Sequence, residues 1–165
     1  MENTAVHFRL LKINHGAVRR LFKELNYYEK EENELREKVN NLKNQNKTEM
    51  EIARAEEILQ ETVRVVPHIK TSLQSSVKKL CEIIHEHFSP ILEISDKKVQ
   101  FCAKFSEENL KQILSTHYEE FCKEVEDLNN TLAKVLLHMK EDDLPTCNPL
   151  HSRDPLIPHE ECVDI

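Results

Sequence analysis

One glycine, Gly16, in a chain of 165 residues is the tightest constraint this sequence sets. Sandwiches, barrels and α/β sheets use glycine for positive-φ turns, bulges and phosphate-cradling loops. Neither G-x-G-x-x-G nor G-x-x-x-x-G-K-[ST] can be written with one glycine. That excludes the common nucleotide-binding enzymes and leaves helix. A charged fraction of 32% beside 5% aromatic residues fits long helices with much exposed surface. The expected fold class is all-α. Catalytic residues are not expected, because long thin bundles rarely enclose the pockets that nucleophilic chemistry needs.

Heptads set the architecture. Val18, Leu21, Leu25, Tyr28, Glu32, Leu35, Val39 and Leu42 follow alternating steps of three and four, and seven of these eight are apolar or aromatic. They predict a helix over about 4–44, about 60 Å long. Asn44-Gln45-Asn46 interrupts the pattern, and Thr48-x-x-Glu51 reads as a capping box for a second helix over 48–87. Its stripe runs Ile52, Ala55, Leu59, Thr62, Val66, Ile69, Leu73, Val77, Leu80, Ile84. The short connection predicts an antiparallel hairpin. Pro67, inside the second helix, predicts a kink.

A third helix over 106–140 is signalled by Ser106, by Glu107 and Glu108 in its first turn, and by a stripe from Leu110 to Met139. Ser89-Pro90 reads as a cap and first-turn proline, so an extra short helix is one reading of 89–104. Residues 141–165 carry four prolines, one basic and seven acidic groups, a charge of -6 out of the total of -7. That composition predicts a disordered tail. The remaining 140 residues sum to -1, with no clustered excess of Lys and Arg, so no nucleic-acid partner is expected.

Five scattered cysteines without a C-x-x-C pair predict reduced thiols and no zinc module. His85-x-His87 is spaced so that two helical rings diverge, and no metal or other cofactor is expected. The N-terminal residues carry Glu2, Arg9 and Lys12 without an apolar run, so no secretory signal and no membrane association are expected. Asn46-Lys47-Thr48 and Asn129-Asn130-Thr131 are then chance sequons.

Two blocks carry a family resemblance. The first is Ile13-Asn14-His15-Gly16-Ala17-Val18-Arg19-Arg20-Leu21-Phe22-Lys23-Glu24, followed by Tyr28-Glu29-Lys30-Glu31. The second is Glu57-Ile58-Leu59-Gln60-Glu61, with Pro67 six residues later. In order and spacing they resemble the tubulin-specific chaperone A family, over about residues 6–84. The resemblance implies an elongated, coiled-coil-like antiparallel three-helix bundle. It also implies a cytoplasmic, cytoskeleton-associated chaperone that captures β-tubulin monomers on the way to αβ-dimers, without ATP. Further tubulin-folding cofactors would then be partners, and the chain would act as a monomer. After Ile84 the sequence departs from the family: 85–105 look inserted, and His117-Tyr118-Glu119-Glu120-Phe121 read as a displaced start of the third helix.

The matched positions give candidate contact residues. Arg19, Arg20, Lys23 and Glu24 make a largely basic patch suited to an acidic partner. Glu29, Lys30 and Glu31 are expected to point outward, and Tyr28 sits on the seam with its hydroxyl in reach of the rim. Glu57 and Glu61 share one face of the second helix, where like charges repel and a partner's basic group would relieve them. A solvated helical face explains the same charges equally simply. The competing function is a self-associating coiled-coil scaffold unrelated to tubulin, using the same heptads.

Overall fold

The structure, a computed structural model, describes residues 4–95 and 97–139. The elements are α1 (Thr4–Asn44), α2 (Glu49–Phe88), β1 (Leu92–Ser95), β2 (Lys98–Phe101), α3 (Glu107–Leu114) and α4 (Tyr118–His138), with a 3-10 turn at Ser115–His117. The all-α expectation holds, with a small hairpin added. The chain divides into two compact units, Arg19–Leu73 and a second built from Met1–Val18 with Gln74–Ile165. The expected tail over 141–165 lies outside the described residues.

The Arg19–Leu73 unit is a helical hairpin. Its turn is made without glycine. Asn46 takes the left-handed conformation (φ 57°), which asparagine tolerates better than most residues. The Asn46 N–H donates to the Lys43 carbonyl (3.2 Å) and the Lys47 N–H to that of Leu42 (3.1 Å), a Schellman closure of α1. The Glu51 N–H then donates to Thr48 Oγ1 (3.2 Å), capping α2. Buried Val39, Ala55 and Leu59 form a core here, flanked by half-covered Leu35, Leu42 and Val63. Helix α2 continues through Pro67, whose carbonyl accepts a hydrogen bond from the Thr71 hydroxyl (3.0 Å).

The second unit gathers more elements around one core. Phe121 is fully buried, with the rings of Phe8, Phe88 and Phe101 at centroid distances of 5.7, 5.2 and 5.9 Å. Residues 89–104 are not helical, which corrects the short-helix reading. Ser89-Pro90 opens no helix, and the peptide bond between them is cis. Strands β1 and β2 pair antiparallel, Ile94 opposite Val99 and Ser95 opposite Lys98. Alternation decides the outcome: Leu92 and Val99 are buried while Glu93, Lys98 and Gln100 are exposed, a period of two that no helix can satisfy. The Asn129 side chain clamps β2 to α4, accepting from the Val99 N–H (2.9 Å) and donating to the Val99 carbonyl (2.7 Å).

Ser106 caps α3 with a reciprocal box through Asn109. The stripe expected as one helix breaks at Ser115, whose φ of 54° and ψ of -125° no helix contains. Just beyond the break, the Tyr118 hydroxyl is pushed above its ordinary value of 10.0, chiefly by a hydrogen bond with Cys122. Cys102 and Cys122 are free thiols, but the sulfur of Cys81 is in a disulfide. This corrects the expectation of five reduced cysteines. Spacing along the chain does not say which thiols a fold brings together.

Candidate partner-binding surface

The sequence-derived contact residues all fall in the Arg19–Leu73 unit, on outer faces of its two helices. On α1, Arg19, Arg20, Lys23, Glu24 and Lys30 are exposed. Arg20 Nε lies 3.8 Å from Glu24 Oε1, and Lys30 Nζ lies 4.0 Å from Glu34 Oε1, both one turn apart. Among the described residues, Arg19 and Lys23 are in no ion pair, and both are exposed. Glu29 and Glu31 are half-buried, which corrects the expectation that both point outward: they flank the seam rather than crown the helix. Tyr28 is half-buried, as its seam position requires.

The residue that sequence reasoning passed over is Tyr27. It is 62% exposed and meets Tyr28 edge-on, with ring centroids 5.1 Å apart at 89°. Heptad phase held the signal: if Tyr28 faces α2, Tyr27 cannot. Steps of three and four place Arg20, Lys23, Glu24, Tyr27 and Lys30 along one face. An exposed tyrosine among cations is an arrangement that partner surfaces favour, because it offers a large rigid apolar body with a polar tip.

On α2, Glu57 and Glu61 are exposed and carry no ion pair. Glu57 borders an open cleft of about 530 Å³ whose apolar lining is Val39, Ala53 and Leu59. Arg36, Asn40 and Lys43 line its α1 side, and Glu56, Glu57 and Gln60 its α2 side. Lys43 Nζ pairs with Glu56 Oε1 at 3.0 Å, and Arg36 with Glu32 at 3.0 Å. Glu57 is therefore the cleft-lining carboxylate with no ion pair among the described residues, whereas Glu61 does not line the cleft. The structure thus separates the candidates into an α1 stripe and a cleft edge on α2.

Among the described residues, no group of three or more His, Cys, Asp or Glu is placed to hold a metal ion. No helix among them is long and apolar enough to cross a membrane. The fold defines a predominantly α-helical protein that exposes charged and aromatic side chains on outer helix faces.

Comparison with known proteins then gives the particular identity. The tubulin binding cofactor A family matches residues 7–105, three fifths of the chain, and the chain belongs to that family. It is 36% identical over 76 residues to Tubulin-specific chaperone A of Mus musculus, covering 46% of this chain and 70% of the mouse protein. No solved structure matches. The match ends at Phe105, so α3 and α4 lie beyond it.

Proposed function

We propose that this protein is a β-tubulin-binding chaperone that captures β-tubulin monomers in the folding and dimer-assembly pathway, without ATP. Family membership over residues 7–105 carries this reading. The name of the mouse relative supports tubulin as the client. The protein acts stoichiometrically, as a cytoplasmic monomer associated with the cytoskeleton, covering an aggregation-prone surface until other folding cofactors take the client over. Binding runs through the α1 stripe of Arg19, Arg20, Lys23, Glu24, Tyr27 and Lys30. Tyr28, Glu29 and Glu31 form its inner margin, and Glu57 and Glu61 supply carboxylates from α2. Basic charge steers an acidic client, and Tyr27 anchors it.

The test is co-purification of the full chain with β-tubulin against α-tubulin. Selective retention of β-tubulin is expected; equal or absent retention of both overturns the reading. Charge reversal of Arg19, Arg20 and Lys23 together is expected to weaken binding by about tenfold, ~1.4 kcal/mol, with helicity unchanged. Unchanged affinity would remove this patch from the interface. Sedimentation equilibrium should report 19.4 kDa, and a stable dimer would favour the scaffold reading instead.

A further inference from the structure

The start of α1 carries apolar residues on two faces. One face is committed to the core: Phe8, Leu11 and Val18 are buried. There the buried His15 ring meets α4, with Nδ1 2.6 Å from Glu124 Oε2 and Nε2 2.7 Å from Thr131 Oγ1. The other face is open. Val6 and Ile13, seven residues apart and so one above the other, are 63% and 62% exposed. Leu10 stands between them, four residues from one and three from the other, and both it and Ala17 are half-buried. Single exposed apolar residues are ordinary, but four in helical register make a ridge.

The charge beside this ridge has one sign. Arg9 lies three residues from Val6 and four from Ile13, on the flank of both, and Lys12 follows one turn on; both are exposed. Neither is in an ion pair among the described residues, and the Lys12 ammonium stands 5.0 Å from the centre of the Phe8 ring. From Thr4 to Lys23 the helix carries five cations and no carboxylate. Gly16 lies on the same flank, three residues from Ile13 and four from Lys12. A Cβ there would meet nothing within 4 Å, so no packing contact of the described fold requires the bare backbone. Glycine weakens a helix interior, and what it offers in return is a point where another backbone can come close.

We propose that this face of α1, centred on Val6, Arg9, Ile13 and Gly16, docks an amphipathic α-helix of another protein that carries a row of carboxylates beside its apolar ridge. Ridge packs on ridge, the carboxylates meet Arg9 and Lys12, and Gly16 lets the two backbones close up. A second copy of this chain fits poorly, because it would set cations against cations along the same flank. A bilayer fits poorly too. A helix lying in a membrane interface inserts a broad apolar face, and here the rest of the apolar surface is already buried in the core. On the α2 side the face is bounded by His7, whose ring stacks on His87 at 4.2 Å. The face precedes the residues proposed for client binding and does not depend on that reading.

Two synthetic helical peptides, titrated against the full chain by fluorescence anisotropy, test the proposal. Both carry leucines at alternating steps of three and four; one has glutamates along the flank of that ridge, the other lysines. The glutamate peptide should bind about tenfold more tightly. Val6→Gln combined with Ile13→Gln should weaken it about tenfold while circular dichroism stays unchanged, since both side chains are exposed. Arg9→Glu with Lys12→Glu should reverse the preference between the peptides, and it decides alone if the first variant loses helicity. Gly16→Leu should weaken binding without lowering the thermal midpoint. A glutamate peptide that does not bind, or binds no better than the lysine one, overturns the proposal. Binding that survives the Val6 and Ile13 changes does the same, and binding unaffected by Gly16→Leu removes the close approach. Phosphatidylserine vesicles are the third probe: if they bind the chain and the glutamate peptide does not, the face is a membrane surface and the helix partner is wrong.

Discussion

The two units use the same two helices and bury them to different depths. In the hairpin unit, the core among the described residues is built from α1 and α2 facing each other. Near its turn Val39, Ala55 and Leu59 are buried to 5–6% exposure while Leu35, Leu42 and Val63 stay half-covered; Leu25 and Leu73, farther from the turn, reach 0%. In the other unit, the start of α1 and the end of α2 share a core with the β-hairpin, α3 and α4. There Leu11, Leu80 and Phe121 reach 0% and Leu114 1%. Apolar stabilisation follows the area withdrawn from water. Two helices alone leave faces for a partner; five elements around one core leave fewer. The larger core therefore lies apart from the surface proposed for client recognition.

The largest expected effect breaks that contrast if it is wrong. Phe121→Ala removes a ring held among three others, and a buried phenylalanine truncated to alanine costs about 3–5 kcal/mol. Leu35→Ala, from a half-covered position in the hairpin, should cost only about 1–2 kcal/mol, because much of its surface is already wet. Urea denaturation of the full chain measures both. Equal losses would mean that the hairpin is packed as tightly as the larger core.

The same contrast explains what could be read from sequence. The hairpin unit was legible because its packing is local and periodic. Leu25 and Val39, two heptads apart on one seam, are both buried, and Thr48 caps α2 where its hydroxyl was expected to. The other unit depends on contacts between distant segments. Leu92 to Phe101 gave too short a run for period two to be told from a helical turn, and Ser89-Pro90 imitated a cap. Nothing near Ser115 announces a residue at φ 54°, since neither glycine nor asparagine stands there. His15 looked like a variable position in a family motif; its partners lie 109 and 116 residues away. On the candidate surface, charge type and helix face were readable, but Tyr27 needed the heptad phase applied to its neighbour.

A smaller effect sharpens the comparison within the more closed unit. Gly16 sits inside α1, and a Cβ built on it would meet nothing within 4 Å. Among the described residues, no neighbouring helix needs the missing side chain. Gly16→Ala should raise stability by about 0.5–1 kcal/mol, the usual gain of alanine over glycine in a helix interior. Thermal unfolding shows the gain as a higher midpoint. If tubulin affinity falls while the midpoint rises, a partner's backbone comes close here; a lowered midpoint would mean that α1 is not a regular helix at this turn.

The smallest effect makes one chemical change in both units. Glu24→Gln breaks the Arg20 pair in the hairpin, where the two side chains are 46% and 68% exposed and 3.8 Å apart. Water screens such a pair, and holding two long side chains together costs entropy, so the change should be under about 0.5 kcal/mol. Glu124→Gln has the same composition change but acts on a carboxylate 16% exposed beside the His15 ring, 1% exposed. There less water screens the charge, so its loss should cost more than that of the exposed pair. Comparing the two variants holds chemistry constant and varies only the surroundings. If both are silent, burial does not distinguish the two units electrostatically, and the difference between them is one of apolar packing alone.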